Sequence, residues 1–125
     1  MLNMIMLITG ALLTAIWGIA HLFATNGVVK NFGELSVDNR NILRMEWITE
    51  GFSLIFTGLL VLLVTLAGDY GNWISDIVYL ISSGFLIAMA VLSYFTGFRV
   101  NFIIYKLCPF IFLFSAGLIL AGAFM

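Results

Sequence analysis

WISDIVYLISSGFLIAMAVLSYF, residues 73–95, is the stretch whose reading decides the fold. Asp76 is its one charged residue, and it stands near the start. A hydrocarbon core of about 30 Å needs roughly 20 helical residues, and this run supplies them without interruption. The apolar/polar alternation in units of about ten residues that marks a membrane barrel strand is missing. Inside lipid every backbone polar group must be bonded within its own segment, so the run predicts a transmembrane helix.

Three further blocks of the same character lie at about residues 3–24, 44–67 and 102–124. Of the 125 residues 63% are hydrophobic and 9% charged, against about a quarter charged in a soluble domain. The expected fold is therefore all-α, with four transmembrane helices in an up-down antiparallel bundle and a single domain over residues 1–125. Residues 1–4 contain no Lys or Arg and the first apolar run is longer than a secretory signal core, so the first helix is expected to be retained. Five Lys and Arg cannot form the basic stripe that nucleic acid requires, so no nucleic-acid partner is expected.

The segment 25–43 is the one long polar connection, with Asn26, Gly27, Asn31 and Gly33 as turn residues and Ser36 placed to cap a helical run leading into the second span. The connections 68–72 and 96–101 are short, which makes consecutive helices antiparallel neighbours. Lys30, Arg40 and Arg44 flank the first connection, and Arg99 and Lys106 the third. All five cations thus fall on one side, while Asp69 and Asp76 fall on the other. The positive-inside rule puts the cationic side in the cytoplasm and both termini outside.

An ionisable group in mid-membrane costs about 2.5–3.5 kcal/mol on insertion scales, so it needs a partner or a watery cavity. His21 and Glu50 are expected at similar depth near the cytoplasmic ends of the first two helices, where imidazole and carboxylate could bond. Thr14, Trp17, Gly18 and His21 share one face of the first helix. Glu46, Glu50, Ser53 and Thr57 form a polar stripe on the second, expected to face protein. Ser93, Tyr94, Arg99, Tyr105, Lys106 and Cys108 gather on the same side of the membrane. The ligand-binding candidates are His21, Glu50, Trp17, Thr14, Ser53, Tyr94 and Tyr105, with a purely structural His21–Glu50 pair as the competing reading.

Bland roles account for much of the rest. Arg44, Glu46 and Lys106 read as interfacial charges, and Trp17, Trp47 and Trp73 as anchors at the lipid–water boundary. Gly10, Thr14 and Gly18 at four-residue spacing allow close approach of another helix, from this chain or a second copy. Cys108 reads as a buried spectator thiol, and Pro109 as a source of local bending in the last helix. Asp76, with Ser75 and Tyr79, reads as capping or headgroup contact. One His, one Cys and scattered carboxylates give no metal-ligand spacing, so no metal and no cofactor are expected beyond a lipid or quinone. No catalytic motif points to an enzyme.

The four short-looped spans, the segment Gly18-Ile19-Ala20-His21 and the segment Arg44-x-x-Trp47-x-x-Glu50-Gly51 resemble the broad DoxX-like group of small bacterial membrane proteins. That resemblance implies a small helical bundle of a functionally mixed class and carries over no catalytic residue. Three functions compete. The first is binding of a lipid, quinone or other hydrophobic ligand whose head group meets His21 and Glu50. The second is an accessory or assembly subunit of a membrane complex, with homo-oligomer or complex partners. The third is a small oligomeric transporter or channel with Glu50 as its coupled site.

Overall fold

The computed structural model describes residues 1–68 and 71–125; the sequence-based placement of Asp69 on the outer face lies outside the described residues. The elements in order are α1 (Leu2–Lys30), α2 (Val37–Ala67), α3 (Trp73–Phe95) and α4 (Ile103–Phe124), with a short 3-10 turn, Gly97–Arg99, between the last two. All four α-helices are long and apolar enough to cross a membrane. Large apolar side chains such as Phe23, Phe56, Ile81 and Phe114 point outward from the bundle. Lipid tails are as apolar as these side chains, so an outer surface of this kind suits hydrocarbon and not water. The chain is an all-α membrane protein built as a four-helix bundle.

The first connection is shorter than expected. Residues 25–30, including the expected turn residues Asn26 and Gly27, continue α1, and the link shrinks to residues 31–36. The reason is length. The 29 residues of α1 span about 43 Å, more than the hydrocarbon core, and in the headgroup zone polar side chains cost little while the backbone keeps its helical bonds. Gly33 turns the chain at φ 76°, and the Ser36 hydroxyl accepts the Asn39 N–H at 3.2 Å to start α2. At the opposite end the Asn72 side chain caps α3 by accepting the Ile74 N–H at 3.1 Å.

Helix contact runs through small residues. A Cβ built on Gly18 would lie 2.6 Å from the Gly51 carbonyl oxygen, and one on Gly58 2.6 Å from that of Ala11. Across α1 and α4 the same holds for Gly10, 2.9 Å from Ile119, and for Gly122, 2.7 Å from the Asn3 carbonyl. The face carrying Gly10 and Gly18 is therefore filled within the chain, by α4 near Gly10 and by α2 near Gly18. Rising numbers on α1 meet falling numbers on both partners, which fixes α1 as antiparallel to each. The apolar core between the helices includes Leu7, Leu54, Tyr79, Leu86, Phe112 and Ile119.

One interface differs. α1 packs closely on α2 and on α4, and α3 on α4, but α2 and α3 touch sparsely despite the short link that joins them. Near that link the Thr65 and Tyr79 hydroxyls bond at 3.1 Å. Further along, the two helices part and leave a groove that opens toward the end where the five cations lie.

Candidate functional site

Glu50 stands in this groove. Its walls are Leu43, Trp47 and Ser53 from α2, Phe85, Met89 and Leu92 from α3, Val28 from the end of α1, Phe32 from the link after it, and Tyr105 from α4, around a volume of about 420 Å³. A second hollow of about 560 Å³ continues it toward mid-membrane between Phe56, Thr57, Ile81 and Phe85. On the other side of Glu50 a recess of about 140 Å³ reaches Ser93 and Cys108. Of the stripe read from sequence, Glu46, Glu50 and Ser53 line this groove and Thr57 the hollow that continues it, with Thr49 beside them.

Behind Glu50 lies His21, 2% exposed. Its Nε2 is 3.5 Å from a Glu50 oxygen, and the Glu50 side chain is 25% exposed. On the other edge of the ring Nδ1 is 2.9 Å from the Trp17 carbonyl oxygen. A carbonyl only accepts, so Nδ1 carries a hydrogen. Nε2 has no hydrogen-bond partner at this separation. If Nε2 were a bare lone pair, an ionised Glu50 beside it would be repelled. One proton shared by the pair, as imidazolium with carboxylate or as neutral imidazole with carboxylic acid, would turn that repulsion into attraction. At 3.5 Å the contact is longer than a charge-assisted hydrogen bond, which leaves Glu50 free to bond elsewhere.

Aromatic rings fix the imidazole. Trp47 stacks on it with centroids 4.7 Å apart and 27° between planes. The same indole donates its N–H to the His21 carbonyl oxygen at 2.7 Å, across from α2 to α1. Trp17 meets the imidazole edge-on at 5.8 Å, and Tyr105 meets Trp47 edge-on at 5.3 Å. Trp47 is 8% exposed, so it is not the boundary anchor that its position near the span end implied. A buried indole N–H usually finds an acceptor, and for Trp47 that acceptor is on the neighbouring helix. Trp73, 70% exposed, keeps the surface position expected of an anchor.

Of the residues selected from sequence, Glu50, Ser53 and Tyr105 line the groove, His21 backs it and Trp17 supports the ring. Two stand apart. Thr14 is 1% exposed and its hydroxyl is bonded to the Gly10 carbonyl of its own helix at 2.8 Å. Tyr94 is 53% exposed and stacks on Phe98 outside the groove. Trp47, Phe85, Met89 and Leu92 were missed as groove residues. For Trp47 a signal existed, since it shares a helical face with Glu50, Gly51 and Leu54. Among the described residues no cluster of three His, Cys, Asp or Glu is placed to hold a metal. Cys108 is buried and free, with its thiol donating to the Ile104 carbonyl at 3.4 Å.

What the fold and groove define is a class: a small helical membrane protein with a laterally open cavity and one backed carboxylate inside it. No family model matches the chain, and neither a curated protein nor a solved structure matches it significantly.

Proposed function

We propose that this protein binds an amphiphilic molecule, a lipid or a quinone, with its apolar part between α2 and α3 and its polar head at Glu50. The observation that carries this reading is the groove itself: apolar walls of Phe85, Met89 and Leu92, open on the side where α2 and α3 part, around a carboxylate buttressed by a buried imidazole. Its volume falls in the range of ligand cavities, and a few convergent polar groups in an apolar cleft are the usual pattern of such sites. A proton shared with His21 would let Glu50 serve either need of a head group. As carboxylic acid it donates to a quinone carbonyl; as carboxylate it accepts from a hydroxyl. We place the protein in a bacterial inner membrane with the cationic end in the cytoplasm and both termini outside, in line with the cation distribution and the DoxX-like resemblance.

Filling the groove tests the proposal. Ser53 is partly exposed there and its hydroxyl serves its own helix, donating to the Thr49 carbonyl at 2.8 Å. Ser53→Trp should therefore keep the bundle folded while displacing the ligand. Purified protein should release a stoichiometric lipid or quinone on organic extraction, detected by mass spectrometry, and the variant should retain less than about a tenth of it, a loss matching about 1.4 kcal/mol or more. Equal retention in both proteins at equal thermal stability would sink the reading.

A further inference from the structure

At the cationic end, on the α1–α2 side, a separate hollow of about 230 Å³ shares only Val29 with the groove lining. Its lining comprises Asn26, Val29, Lys30 and Gly33 from α1 and its turn, with Arg40 and Arg44 from α2. Asn26 and Lys30 are four residues apart on one helix and Arg40 and Arg44 four apart on the next, so each pair presents on one helical face. The two helices are antiparallel, which sets the pairs opposite each other.

Three cations thus converge on one small hollow. Among the described residues the one ion pair is His21 with Glu50, so Lys30, Arg40 and Arg44 have no carboxylate within 4 Å. Glu34, Asp38 and Glu46 are near in sequence, yet none closes on these cations. Like charges on adjacent turns repel, and an anion between them removes that cost. The turn between them is set by the Gly33 conformation and the Ser36 cap. Arginine forks match phosphate oxygens two at a time, and the Asn26 amide adds a neutral donor.

We propose that this hollow binds a phosphate group, either in the headgroup of an anionic phospholipid or as a soluble phosphate. The site is independent of the groove and its occupant. The side chains of Lys30, Arg40 and Arg44 are exposed and support nothing inside the bundle, so their removal leaves the fold intact.

The test uses the full chain in phosphatidylcholine nanodiscs with a minor fraction of phosphatidylglycerol. Lipid retained after release is read by native mass spectrometry, and the thermal midpoint is read alongside. Wild type should retain phosphatidylglycerol over phosphatidylcholine, and Arg40→Gln and Arg44→Gln should each weaken retention about fivefold. Arg99→Gln removes the same charge from the same end outside the hollow and should change nothing. A second arm adds inorganic phosphate to protein in phosphatidylcholine alone. A midpoint rise there that Arg44→Gln abolishes, without preference for phosphatidylglycerol, assigns the site to a soluble phosphate. Equal loss in Arg99→Gln and Arg44→Gln shows diffuse attraction and overturns the site. So does phosphatidylglycerol retention unchanged by Arg40→Gln and Arg44→Gln with no response to inorganic phosphate.

Discussion

Gly18→Ala and Gly58→Ala should each lower the unfolding free energy by about 1–3 kcal/mol, although alanine is the better helix former. The added methyl would sit 2.6 Å from the backbone oxygen of Gly51 in the first case and of Ala11 in the second. Neither neighbour is the movable end of a side chain. Relief requires α1 and α2 to separate along their whole contact, which also strains the Trp47 hydrogen bond to His21. Gly84 provides the control, since its new Cβ would meet nothing within 4 Å; Gly84→Ala should stay within about 0.5 kcal/mol of wild type. Steric-trapping or denaturant unfolding in bicelles measures all three. Equal effects at Gly18, Gly58 and Gly84 would mean that helix propensity, and not close packing, governs these positions.

The same contact explains why the ligand groove forms on the other side of α2. Interhelical attraction in lipid comes from van der Waals packing and polar contacts, because tails compete equally for apolar surface. Gly51 and Gly58 let α2 draw close to α1. Against α3, α2 offers the bulky Phe52 and Phe56 beside the hydroxyls of Ser53 and Thr57, with Phe85 opposite. The Thr65–Tyr79 bond ties the two helices at one end only. With its close-packing glycines Gly51 and Gly58 both turned to α1, α2 is left with a loose seam against α3.

Four spans were legible from hydropathy alone because a lipid-crossing helix must be long, apolar and internally bonded. Link 25–43 was overestimated because polarity marks where the hydrocarbon ends, and a helix is free to run on past that plane. The depth match of His21 and Glu50 was also legible, since rise per residue converts sequence position into depth. Rotation about the helix axis was not. Trp47 was read as an anchor from its place near a span end, whereas the buried face of α2 passes through Trp47, Gly51, Leu54, Gly58 and Val61. A short connection at residues 68–72 suggested that α2 and α3 would be antiparallel neighbours, but a short link constrains only the ends it joins. Tyr94 stands outside the groove for a similar reason: nearness to one membrane surface does not say which way a ring points.

His21→Ala should be among the most costly single changes in the bundle, at about 2–4 kcal/mol, and Glu50→Gln much milder at about 1 kcal/mol. The alanine leaves a void beneath the stacked Trp47 ring and strips Glu50 of its partner. The glutamine keeps shape, and its amide can donate to the lone pair of a neutral imidazole whose other hydrogen is held by the Trp17 carbonyl. Once His21 is gone Glu50 has nothing to lose, so the double variant should cost less than the sum of the singles. Interhelical hydrogen bonds in membranes average about 0.6 kcal/mol and reach about 1.7, and the partial exposure of Glu50 favours the lower figure. A second readout distinguishes a shared proton from mere packing. If the proton is shared, the nitrogen NMR signals of His21 in wild type should differ from those in Glu50→Gln, with the carboxyl infrared band reporting the partner. In Glu50→Gln the imidazole should remain neutral with its hydrogen on Nδ1. Strict additivity in the cycle, together with a His21 spectrum indifferent to Glu50→Gln, would show that the two side chains lie close without sharing a proton.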